Sequence, residues 1–185
     1  MALLIRSADG DDLMAVVDVG RRTLPVTYEP IAGEDYVKMV LAKWWTQDAT
    51  IPAIRAGRVT VAELDGEVVG IAAVGPHEKH LVLWKLYVLP EHQGKAIGSA
   101  LMESVVARAT GQYPQIRLSY LDGNTSAEVF YRSKGFVEIG RECGGEGLPE
   151  NVWMELVLDR DEQPPARNRK AADLETQAPD LGEQS

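Results

Sequence analysis

The stretch from Leu81 to Ala109 leaves this chain few folds to choose from. An apolar run, Leu81 to Leu89, is broken at Pro90. A loop with small residues follows, Gln93-Gly94-Lys95-Ala96-Ile97-Gly98-Ser99-Ala100, and then a segment with helical patterning from Leu101 to Ala109. Strand, glycine-bearing loop and helix start, in that order, build an anion seat from main chain. Small residues admit close approach of a phosphate. The first N–H groups of a helix have no intrahelical partner, and the helix dipole adds partial positive charge there. The segment therefore predicts an α/β arrangement that holds a phosphorylated ligand.

Spacing excludes two common phosphate loops. A Walker loop needs Gly-Lys-Ser/Thr four residues after its first glycine, and neither Gly94 nor Gly98 supplies that context. A dinucleotide fingerprint needs three glycines directly after the first strand of a βαβ unit. Here only Gly94 and Gly98 are present, mid-chain, after an apparent hairpin. On the loop alone, an ordinary strand-to-helix turn is equally open.

A second segment narrows the reading. Asn124 is placed to cap a helix, and Gly135 to stop it in a left-handed turn before Phe136 enters a strand. Together the two segments resemble the GNAT N-acetyltransferase superfamily. The first matches its Gln/Arg-x-x-Gly-x-Gly/Ala motif at Gln93, Ala96 and Gly98, with Ala96 in place of the usual glycine. That methyl costs little if the local φ is negative and more if it is positive. The second matches Asn-x-x-Ala-x-x-apolar-Tyr-x-x-x-Gly-Phe from Asn124 to Phe136 at every anchor.

The resemblance spans residues 2–158 and implies an α/β (α+β) GNAT fold. Its mixed central sheet has about six or seven strands, is flanked by about four helices, and splays between strands 4 and 5. It further implies acetyl-CoA as co-substrate and no metal. Cofactor binding is then expected at Gln93, Gly94, Lys95, Ala96, Ile97, Gly98 and Ser99 for the pyrophosphate. The main chain of Leu86, Tyr87 and Val88 would hold the pantetheine, with Asn124 and Tyr131 beside it. Tyr131 is the expected general acid, since a phenol can donate to a thiolate of comparable basicity.

The general base is less clearly marked. Many family members carry a glutamate on the fourth strand, where this chain has Val82-Leu83-Trp84-Lys85. Strand alternation puts His80 on one face with Val82, Trp84 and Leu86, and a neutral imidazole suits proton removal near neutrality. The alternatives are a solvated cluster around Pro76 and a water relay. For the acceptor, Thr27 and Tyr28 between the first two helices and Trp84 on the strand are the expected contacts. Glu29, Glu34 and Asp35 add negative charge nearby in sequence. Trp44 and Trp45 fit the core better, as aromatics at helical spacing usually do.

Elsewhere, Asp9 to Arg22 and Glu34 to Gln47 read as helices separated by a breaker-bounded loop, Thr23 to Pro30. Asp65-Gly66 reads as a two-residue hairpin, and Gly75-Pro76 as the end of a strand. From residue 159 the composition changes to seven acids against four Arg or Lys, with Pro164-Pro165 and no aromatics. This predicts an acetyltransferase domain over 1–158 and a disordered charged tail over 159–185.

A net charge of −9 argues against nucleic acid as a partner and mildly favours a cationic acceptor. No apolar run approaches the ~20 residues of a membrane span, and the N-terminal apolar run is short for a signal peptide. The single cysteine, Cys143, excludes an intrachain disulfide. These features lead to the expectation of a cytoplasmic enzyme acetylating a small-molecule amine. A protein N-terminus or lysine as acceptor, and a non-catalytic acyl-CoA-binding regulatory module, are the competing readings. Dimers are common in the family, so a homodimer is compatible with the resemblance.

Overall fold

The computed structural model describes residues 2–158, and the tail assigned to 159–185 lies outside the described residues. The chain runs β1 (Leu3–Ser7), α1 (Leu13–Ala32), α2 (Glu34–Trp44), α3 (Gln47–Arg55), β2 (Val59–Leu64), β3 (Glu67–His77), β4 (His80–Val88), α4 (Ile97–Ala109), β5 (Gln115–Leu121), α5 (Thr125–Ser133), β6 (Val137–Glu142) and β7 (Asn151–Val157). Short 3₁₀ turns precede α1 and follow β4. The seven strands form one sheet in the order β1-β2-β3-β4-β5-β7-β6. All neighbours are antiparallel except β4 and β5, which are parallel and joined through α4, as a crossover requires.

Local chemistry accounts for most element ends. Asp65 and Gly66 both take positive φ (50° and 91°), the two-residue turn that matches strand twist. Asn124 Oδ1 accepts from Ala127 N at 3.2 Å and caps α5. Thr46 caps α3 in the same way through Ala49 N, and this helix adds a layer that the apolar periodicity does not announce.

Two boundaries depart from the sequence reading. β3 continues through Gly75-Pro76 to His77. Its pairing with β2 ends at Val59↔Ala73, so the missing N–H of Pro76 breaks no ladder on that side. α1 continues through Thr23–Pro30 to Ala32, with Pro25 and Pro30 inside the helix. Interior proline normally ends a helix. Here packing outweighs that cost: Thr23 and Leu24 are buried, and Tyr28 packs on the core.

The core lies on both faces of the sheet. Leu101, Met102 and Val105 of α4 cover one face, and Val16, Val19 and Leu24 of α1 belong to the same buried cluster. Trp45, fully buried, stacks against Gly20, where a Cβ would fall 2.0 Å from the indole ring. Trp45 is thus a packing residue, and Gly20 is the position that admits it.

Candidate active site

The cleft arises where two strands part. β4 and β5 pair only at Leu81↔Ile116 and Val82↔Arg117. β4 then runs on to Val88 and β5 to Leu121 without pairing each other. A bulge accompanies the divergence: Val74 opposes Leu83 and Ala73 opposes Lys85, so Trp84 is the extra residue. Between the parted strands lies a cleft of about 730 Å³. Its walls come from the second half of α1, the splayed part of β4, the start of α4 and the start of α5.

The bulge changes which residues share a face. Before it, His80 and Val82 oppose His77 and Gly75; after it, Lys85 and Tyr87 oppose Ala73 and Ile71 on that same face. Leu83, Leu86 and Val88 lie on the other. His80 therefore does not share a face with Leu86, because one inserted residue resets the alternation. It sits at the hairpin end of β4, paired with His77, and does not line the cleft. The expected face shared with Leu86 is thus corrected, and His80 stands outside the cleft lining. Lys85 is also turned away from the cleft. Its Nζ donates to Trp44 O at 2.7 Å and lies 4.1 Å above the Trp45 ring, and burial lowers the ammonium to about 8.

The other expected residues are placed as follows. Leu86, Tyr87, Val88, Gln93, Gly94, Ala96, Ile97, Gly98 and Ser99 line the cleft, as do Asn124 and Tyr131, and so do Thr27, Tyr28 and Trp84. Lys95 is exposed outside the lining. Glu29, Glu34 and Asp35 are exposed on the outer surface and do not line it. Gln93 Nε2 donates to Val88 O at 3.0 Å and so ties the loop back to its strand. Arg22 of α1 pairs with Glu91 just before the loop.

At the start of α4, Ala96 takes the N-cap position with φ 62°, ψ 7° and makes no side-chain cap. No acid stands in the first turn of α4. The first intrahelical hydrogen bond is donated by Ala100 N to Ala96 O at 3.0 Å. The N–H groups of Ile97, Gly98 and Ser99 are consequently left for a ligand. The left-handed conformation of Ala96 carries the larger methyl penalty, about 1 kcal/mol. Ala96→Gly should raise the unfolding free energy by about that amount, read as a shift in thermal or urea midpoint. An unchanged midpoint would mean that the methyl makes compensating contacts.

Tyr28, Tyr87, Tyr120 and Tyr131 line the cleft, and Tyr36 packs behind Tyr28. Tyr28 and Tyr87 hydroxyls are 3.4 Å apart, and the Tyr28 ring meets Tyr36 edge-on at 6.2 Å. Tyr131 packs edge-on against Phe130 and Phe136. Burial raises the phenols of Tyr28, Tyr87 and Tyr131 above their ordinary range, and pushes Tyr36 up to about 12. The hydroxyls of Tyr28, Tyr36, Tyr87 and Tyr131 stay protonated through the physiological range. Sequence reasoning missed His92, which lines the cleft with Nδ1 buried and unpartnered. It also missed Val26, Pro30 and Ile31. The signal for these was their helical spacing with Thr23 and Thr27, hidden by the prolines.

The family model for an acetyltransferase (GNAT) domain matches residues 55–138. The 5-NmdU N-acetyltransferase of Pseudomonas phage PaMx11 is 32% identical over 98 residues, covering 52% of this chain and 69% of that protein. The chain belongs to the GNAT acetyltransferase family. The L-amino acid N-acyltransferase MnaT of Escherichia coli is 28% identical over 120 residues, covering 58% of this chain and 69% of its own. Among solved structures, the PaiA N-acetyltransferase of Thermoplasma acidophilum in complex with coenzyme A shares the fold. Its TM-score is 0.74 at 22% identity, over 85% of this chain and 100% of that one. The GNAT architecture explains the parallel β4–β5 pair and its splay. Among the described residues, no helix is long and apolar enough to cross a membrane, and no group of His, Cys, Asp or Glu is arranged to hold a metal.

Proposed function

We propose that this GNAT chain moves an acetyl group from acetyl-CoA to the primary amine of a small molecule by direct attack. The observation that carries the reading is one cleft in which three features meet: the uncapped start of α4, the unpaired edge of β4, and Tyr131. The residues fit the co-substrate. N–H groups of Ile97, Gly98 and Ser99 suit a pyrophosphate, and Gly94, with φ 74°, lets the loop turn toward it. Lys95 stands on the rim as a further cation for the phosphates. The main chain of Leu86, Tyr87 and Val88 offers strand-like hydrogen bonds to the pantetheine amides on the edge that β5 has left. Gln93 lines the cleft and also holds the loop in register by donating to Val88 O.

The reaction balances without a covalent enzyme intermediate. The amine lone pair forms a C–N bond to the thioester carbonyl carbon, and the C–S bonding pair leaves on sulfur. Tyr131, kept protonated by burial, donates its proton to that sulfur and recovers one from solvent. The surplus proton of the amine passes to water in the open cleft. Direct attack is further supported by Cys143, the single cysteine, which is exposed and away from the cleft. Asn124 caps α5 and so fixes the helix that carries Tyr131.

The test is a panel assay on the full chain with acetyl-CoA, following thiol release. The panel holds alkyl and aryl monoamines, polyamines, amino acids, and peptides with free N-termini or lysines. Turnover of small amines is expected. Turnover confined to peptides, or tight acetyl-CoA binding with no turnover at all, would overturn the reading.

A further inference from the structure

We infer that Pro30 exposes the main-chain carbonyl of Val26 as the hydrogen-bond acceptor for the substrate amine, and that the substrate is a monoamine with an apolar body. The inference rests on the small-molecule reading above and adds how that site holds its acceptor. Thr23, Val26, Thr27, Pro30 and Ile31 all line the cleft. Their spacing of three, four, seven and eight is that of one helix face, so the second half of α1 presents a continuous stripe to the substrate.

A carbonyl inside a helix is normally closed by the N–H four residues on. Position 30 is proline and has no N–H. The Val26 carbonyl therefore lacks its i+4 donor, and it lies between two residues that both face the cleft. A helix carbonyl without its i+4 donor is open to a donor from outside the helix, and an ammonium or amine N–H arriving in the cleft supplies one. Val26 is 64% exposed, and both it and Pro30 line the cleft.

The rest of the wall sets the substrate class. The same cleft is lined by Ile31, Pro30, Trp84 and Leu86 and by Tyr28 and Tyr87, whose hydroxyls are 3.4 Å apart. Such a wall covers an alkyl or aryl body well. A second or third ammonium would be desolvated against it without a carboxylate to meet, a costly placement.

Pro25 provides an internal control. It is also inside α1 and frees the carbonyl of Arg21, yet neither Pro25 nor Arg21 lines the cleft. The experiment compares the full-length wild type, Pro30→Ala and Pro25→Ala. Each is saturated with CoA and titrated with 2-phenylethylamine and with spermidine by calorimetry, alongside thermal melts. Both variants regain a helical hydrogen bond and should melt at or above the wild-type midpoint.

Pro30→Ala is expected to weaken 2-phenylethylamine about tenfold, with CoA affinity unchanged. Pro25→Ala should leave both affinities unchanged. A more stable Pro30→Ala that binds 2-phenylethylamine as wild type does would overturn the role of the carbonyl. Tighter binding of spermidine than of 2-phenylethylamine by the wild type would overturn the substrate class. If the wild type binds neither amine but acetylates peptides, the parent reading fails instead.

Discussion

Gly98→Glu is expected to abolish acetyl-CoA binding, raising Kd by at least about 100-fold in calorimetry. Gly98 occupies the second position of α4 and lines the cleft. Its N–H is one of three left free at the helix start, and a carboxylate there would put negative charge where the pyrophosphate is proposed to sit. The fold should survive the change. A Cβ at position 98 would meet Phe130 at 3.7 Å, ordinary contact, and its φ is not in the left-handed region. An acid in the first turn also favours the helix dipole. An unshifted melting midpoint with lost binding would therefore localise the effect to the seat. Unchanged affinity would remove the loop from the cofactor site.

Tyr131→Phe should lower kcat by about 10²-fold or more, the size of a lost general acid, with acetyl-CoA affinity nearly unchanged. The ring is held by Phe130, Phe136 and Tyr120, at centroid distances of 5.4, 5.9 and 6.3 Å, and a phenylalanine keeps that packing. Burial, and then the neighbouring Tyr28, hold the phenol above its ordinary range. The acid form thus persists well into alkaline solution, so loss of activity at high pH should not report this residue. Equal kcat in the variant, measured at saturating acetyl-CoA, would assign proton delivery to solvent.

Much of the site could be read locally. The uncapped, acid-free helix start at Ile97 follows from small residues after an apolar run. The Asn124 cap and the Gly135 stop follow from side-chain size and φ preference, and structure places each where its chemistry predicts. The misreadings have one cause in common. Strict alternation along β4 puts His80 on the face of Leu86, and the bulge at Trp84 breaks that alternation. The loop expected over Thr23–Pro30 rests on two prolines, and burial of Thr23 and Leu24 keeps the helix going through them.

The sequence by itself determined the elements whose signals are carried by adjacent residues: the anion-seat loop, the capped α5 with Tyr131 and the Asp65-Gly66 hairpin. Tertiary structure alone decided where β4 and β5 part, which residue bulges, and which face of α1 looks into the cleft. Those outcomes depend on a partner strand or a packed neighbour that is distant in the chain. A local pattern records the period and the caps of an element, but not the register against which that element is finally read.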